Sequence, residues 1–159
     1  MKIVARSKWF SILAATARDE IITCADEVLV AALDAEESLL FVEETAFAFG
    51  GTQLFLPGGE MKSGESVLDV AQRELREETG FGSSKLEYLG KIRPWPKYLQ
   101  VTSHIVRGSG LYAAPLTPDE RHPMKLHRKT RSEMDALIAS GEVCDARIIA
   151  ALRLCFGAT

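Results

Sequence analysis

The chain has 159 residues, 47% of them apolar and 26% charged, with a formal net charge of -3. That balance suits a single soluble globular domain long enough to bury a sizeable core, and it excludes both a disordered polyelectrolyte and a broad nucleic-acid-binding surface. No apolar run approaches membrane-spanning length, and three cysteines without metal-ligand spacing (Cys24, Cys144, Cys155) read as reduced packing residues of a cytoplasmic protein.

Taken in chain order, WFSILAATA (9–17) follows Lys2, Arg6 and Lys8. Its apolar run is short and broken by Ser11 and Thr16, so it reads as a strand rather than a secretory leader. IITCA (21–25) is a second strand and EVLVAAL (27–33) a buried one; DAEE turns the chain, and SLLFVEE (38–44) completes a hairpin-like pair. AFGG is a loop, and TQLFLPGG is a short strand ending in Pro57-Gly58-Gly59. A Glu-rich helix follows over 67–79. Strands are expected at 86–93 and 101–109, separated by Pro94-Trp95-Pro96, and LYAA begins a further strand that opens into the loop TPDERHP. A short helix at 131–139 stops near Gly141, and an amphipathic helix at 145–156 ends at Gly157. Strands, a helix, strands and then helices predict a mixed sheet with helices packed on its faces, in one domain over 1–159 whose residues 1–25 add N-terminal strands.

The Glu-rich helix carries the chemistry. Ser66 is a good N-cap with Asp69 three residues on, and Gly80 suits the position after the last turn. With Glu74 set to zero on the helical wheel, Val67 falls near about 20°, Glu78 near about 40°, Ala71 near about 60° and Leu75 near about 100°. Glu74 and Glu78 therefore lie inside the apolar stripe, with Glu77 at its edge. Carboxylates four residues apart repel, and burying one ionised is costly unless a positive charge answers it. Solvated surface glutamates are the plainer alternative; a divalent cation held by hard oxygen ligands resolves the conflict, with glycines letting the backbone approach it.

Residues 59–81 fit the pattern G-x5-E-x7-R-E-U-x-E-E-x-G-U, with U a bulky apolar residue: Gly59, Glu65, Arg73, Glu74, Leu75, Glu77, Glu78, Gly80 and Phe81 fill every defined position. This stretch resembles the Nudix box. The resemblance implies an α/β/α sandwich with a mixed sheet, and a Nudix hydrolase that cuts a nucleoside diphosphate linked to another moiety with the help of Mg²⁺ or Mn²⁺. It also implies site roles. Glu74 and Glu78 look like the principal metal ligands, Glu77 a ligand or catalytic neighbour, and the Gly58 carbonyl a backbone ligand. Arg73 and Glu65 look like an orienting pair, or a salt bridge whose whole role is to hold loop to helix.

Outside the box, VARSKWF, ETGFGSSKLEYLGK, LYAA, PDE and ARIIAALRL resemble stretches of the ADP compounds hydrolases and the wider ADP-ribose pyrophosphatase group. That resemblance implies an ADP-linked substrate such as ADP-ribose, release of AMP, and a homodimer formed through N-terminal strands. Where such enzymes often carry an arginine after the second hairpin strand, this chain has VEETAF. A nucleoside triphosphate pyrophosphatase and a non-catalytic nucleotide sensor are the alternative functions. Glu120, in TPDERHP, is the candidate loop base, or a solvated turn residue. Trp95 and Tyr98, beside Lys97, are candidates for stacking on a nucleobase, or loop packing. KLHRKTR (125–131) reads as a solvated basic face, with contact to phosphates the alternative, and His104, His122 and His127 show no ligand spacing.

Overall fold

The computed structural model describes residues 1–14, 16, 19–117 and 124–157. Strands β1 (Lys2–Arg6), β2 (Ser11–Ala14) and β3 (Glu20–Thr23) form an N-terminal antiparallel sheet, joined at its far edge by the two-residue β9 (Leu99–Gln100), parallel to β3. A mixed central sheet has the order β7 (Gly58–Glu60), β4 (Glu27–Ala32), β10 (Ser103–Ala113), β8 (Phe81–Ile92). β10 runs parallel to β4 and antiparallel to β8, and β7 runs antiparallel to β4. A third sheet sets β5 (Leu39–Thr45) between β11 (Lys125–Lys129) and β6 (Thr52–Phe55).

Side-chain alternation along β4 divides the core in two. Val28, Val30 and Ala32 meet Val70, Ala71 and Leu75 of α1 (Val67–Thr79), together with Leu40 and Val106. Leu29 and Ala31 face the other way, onto Met134 of α2 (Arg131–Ser140) and Ile148, Ala151, Leu152 and Cys155 of α3 (Ala146–Phe156). Helices on both faces of a mixed sheet are the α/β/α sandwich expected from the sequence. Leu75 is wholly buried, which contributes about 2 kcal/mol. Among the described residues no helix is long and apolar enough to cross a membrane.

The hairpin-like pairing of β4 with β5 is corrected. A single bridge, Leu33↔Leu39, joins them; β4 then takes β7 and β10 as neighbours, and β5 takes β6 and β11. Asp34 accounts for the parting. Its Oδ1 accepts the N–H groups of Glu36 and Ser38, so the link closes on its own side chain and the strands leave it into different sheets. The basic stretch KLHRK is a paired strand: Lys125 and His127 both reach Glu43 of β5, and Arg128 reaches Asp34.

Candidate active site

Helix α1 begins and ends where its sequence requires. The Ser66 hydroxyl accepts the Asp69 N–H at 3.2 Å, and Gly80 closes the helix in the left-handed conformation (φ 77°), its N–H donating to the Arg76 carbonyl. The stripe that buries Val70, Ala71 and Leu75 also buries Glu74, which is 7% exposed. The Gly58-Gly59 pair makes room for it. A Cβ at Gly58 would overlap the Val28 carbonyl oxygen of the neighbouring strand, and one at Gly59 would overlap the Glu74 carboxylate. Only glycine lets β7 lie this close to both.

The Gly58 N–H donates to Glu78 Oε2 at 3.0 Å, binding β7 to the last turn of α1. Arg73 supplies the positive charge: its Nη1 contacts Glu74 Oε1 at 2.5 Å and Glu77 Oε2 at 3.2 Å, and its Nε and Nη2 engage the two Glu65 oxygens at 3.3 and 3.2 Å. Burial works to lower the Arg73 pKa, but the carboxylates of Glu65 and Glu74 outweigh it and hold the guanidinium firmly protonated. Glu65 also accepts the Lys62 N–H at 2.8 Å, and that bond, with Arg73 behind it, lowers its pKa. Glu65 thus ties the loop before α1 to the helix.

The donor set fits a hard divalent cation in chemistry: Glu74 and Glu78 lie against the Gly58-Gly59 backbone of β7, Glu74 is nearly sealed from water, and the side-chain donors are all oxygen. The positive charge between Glu74 and Glu77 is that of Arg73. In this arrangement no three His, Cys, Asp or Glu side chains among the described residues are gathered as a ligand group.

Beside Gly58 opens a cavity of about 200 Å³, bordered by Glu27, Glu44, Phe55, Leu56, Asp145 and Arg147. Arg147 is its most constrained member. Nη1 contacts both Glu27 oxygens at 3.1 and 3.0 Å, and Nη2 contacts Asp145 Oδ2 at 2.6 Å. Sequence reading passed over Arg147 because ARIIAALRL shows only an amphipathic helix, and Glu27 lies 120 positions away. Glu43 and Glu44 point to opposite sides of β5: Glu43 meets His127 at 2.8 Å, while Glu44 lines the cavity.

Trp95 and Tyr98, candidates for base stacking or loop packing, lie away from this cavity. Trp95 and Tyr98 contact each other edge to face, centroids 4.9 Å apart, and Tyr98 lines a cavity with Arg93, Pro96 and Asp26 that shares no lining residue with the one at Gly58. Glu120 and His122 lie outside the described residues.

Residues 25–150 match the family model of the NUDIX domain. ADP compounds hydrolase NudE of Escherichia coli (strain K12) is 33% identical over 119 residues, covering 75% of this chain and 64% of that protein. The methanol dehydrogenase activator of Bacillus methanolicus is 29% identical over 109 residues, covering 66% of this chain and 59% of that protein. The chain thus spans less than two thirds of the length of these curated relatives. A crystal structure of an ADP compounds hydrolase superposes with a TM-score of 0.80 at 28% identity, covering 97% of this chain and 88% of the other. A matched segment over most of the chain means that this chain belongs to the NUDIX domain family.

Proposed function

We propose that the chain is a divalent-metal-dependent hydrolase that cuts the pyrophosphate of an ADP-linked compound, with ADP-ribose its leading substrate, and releases AMP. The observation that carries this reading is the approach of Glu74 and Glu78 to the Gly58-Gly59 backbone, next to a cavity, with Glu77 linked to Glu74 through Arg73. The likeness to ADP compounds hydrolases supports the substrate class.

Glu74, Glu77, Glu78 and the Gly58 carbonyl would hold the cation. A bound Mg²⁺ or Mn²⁺ supplies neutralisation of the pyrophosphate oxygens and acidifies water. The chain's own residues do the rest. Arg73, fixed by Glu65, orients Glu74 and Glu77. Glu77 or Glu120 accepts the proton of the attacking water, a new P–O bond forms at one phosphorus, and the bridging P–O bond breaks to leave a phosphate monoester on each product.

Incubating the protein and Mg²⁺ with ADP-ribose, ADP-glucose, NADH, diadenosine triphosphate and dNTPs tests the reading. AMP is expected from one or more ADP-linked compounds. Pyrophosphate released from a dNTP alone would move the assignment to a triphosphate pyrophosphatase, and tight nucleotide binding with no product would make the protein a sensor.

The N-terminal sheet is proposed as the contact of a homodimer. Every residue of β1 is exposed, and Ile3, Val4, Trp9 and Phe10 are each left partly open to solvent in the lone subunit. A two-fold contact is the simplest cover. Light scattering at micromolar concentration is expected to give twice the 17.5 kDa chain mass; a value at 17.5 kDa rejects the dimer.

A further inference from the structure

Phe47 and Phe49, at the turn between β5 and β6, are 94% and 87% exposed, more than any other large apolar side chain among the described residues. The turn is well anchored. The carbonyl of buried Ala46 accepts the N–H groups of Phe49 and Gly50 at 3.0 and 2.7 Å, and the Ala46 N–H donates to the Gly51 carbonyl at 3.0 Å. The chain therefore holds two phenyl rings outward from a fixed base. They line a cavity of about 540 Å³ together with Phe55 and Gln53. Phe55, Asp145 and Arg147 line both this cavity and the smaller one at Gly58, so the two share a wall.

We propose that this aromatic cavity is the nucleobase subsite, in which the adenine ring of the substrate lies against Phe47 and Phe49 while its phosphates reach toward Gly58. This deepens the hydrolase reading and rests on it. Three phenylalanines offer flat faces that any base can stack on, and stacking of this kind is sequence-tolerant. Gln53 adds an amide with both donor and acceptor, suited to the polar edge of a purine. The cavity also adjoins the space beside Gly58 across Phe55, Asp145 and Arg147, whereas the cavity lined by Tyr98 has no lining residue in common with that space.

The test compares the full chain with Phe47→Ala/Phe49→Ala and with Phe47→Tyr/Phe49→Tyr, measuring ADP-ribose kinetics and, by calorimetry with Mg²⁺ present, the binding of AMP and of ribose 5-phosphate. The alanine pair is expected to raise KM and weaken AMP binding by roughly ten-fold or more, leaving ribose 5-phosphate binding unchanged, while the tyrosine pair keeps both near wild type. Both positions are exposed, so the melting temperature should not move. AMP affinity within about two-fold of wild type in the alanine pair overturns the subsite, and continued turnover would leave the hydrolase reading standing. Loss of AMP binding in the alanine pair, with no ADP-linked compound cut by the wild type, upholds the subsite and ends the hydrolase reading. A wild-type chain that binds no AMP, or an alanine pair that halves in mass while keeping AMP affinity, also overturns it; the latter would assign the phenylalanines to a subunit contact.

Discussion

Glu78→Gln is expected to reduce hydrolysis roughly a thousand-fold or more while leaving the fold intact. The side chain sits in the last turn of α1 and accepts the Gly58 N–H at 3.0 Å. A glutamine carbonyl can accept the same bond, so β7 stays in place. What disappears is one negative charge of the set proposed to hold the cation. Charge is also what the folded chain has in excess at this corner: Arg73 reaches Glu65, Glu74 and Glu77, three carboxylates for one guanidinium. Removing a fourth nearby carboxylate relieves like-charge repulsion of a few tenths of a kcal/mol, so the melting temperature without metal is expected to hold or rise. With Mg²⁺ added, the wild type should gain stability, because a ligand that binds only the folded chain stabilises it, and the variant should gain much less. Steady-state kinetics together with melting curves at several Mg²⁺ concentrations check both statements. Turnover near wild type, or an equal Mg²⁺-dependent rise in both proteins, would show that Glu78 is not a principal ligand.

The part of this corner carried by α1 is legible in sequence because it is local. The N-cap, the left-handed Gly80 and the 3.6-residue period all lie within the helix and its flanks, and they predict its bounds and the burial of Glu74 together. Other elements depend on partners far along the chain. β8 begins at Phe81, five residues before the expected start, because Ser83 and Gly82 pair with Leu111 and Tyr112; nothing in GFGSS itself looks like a strand. β1 and β11 are short and basic, and each owes its extended form to its antiparallel neighbour. Thr130 and Glu133 close a full capping box on α2, a local signal carried by TRSE itself. The wall of the cavity beside Gly58 draws on β4, β5, β6 and α3 at once. Its residues are ordinary in sequence; only the fold brings Glu27, Glu44 and Arg147 together.

Arg147→Ala is expected to lower stability at neutral pH by about 2–4 kcal/mol, a fall in melting temperature of roughly 10 °C, since it leaves partly buried carboxylates without their counter-ion. Arg147 joins three elements. Its guanidinium engages both oxygens of Glu27 at the start of β4, and Glu27 in turn accepts the Ser103 hydroxyl of β10 at 2.5 Å. The other side of the fork grips Asp145, which caps α3 by accepting the Arg147 backbone N–H at 2.8 Å. Burial works to raise the Asp145 pKa, but the side-chain and backbone bonds from Arg147 outweigh it and hold the carboxyl below its ordinary value. A lowered folded-state pKa contributes stability that is fully present above the unfolded value of about 3.9 and is lost as pH falls through the folded one. The gap between wild type and variant should therefore be widest near neutrality and narrow below about pH 4, as protons replace the missing arginine on Asp145. Arg147→Lys keeps the charge but not the fork, and should fall between the two. Melting curves from pH 7 down to about pH 3 decide the matter. A variant that melts with the wild type at pH 7 would show that the pair contributes nothing net to stability, and a gap that stays constant with pH would show that Asp145 is not where Arg147 acts.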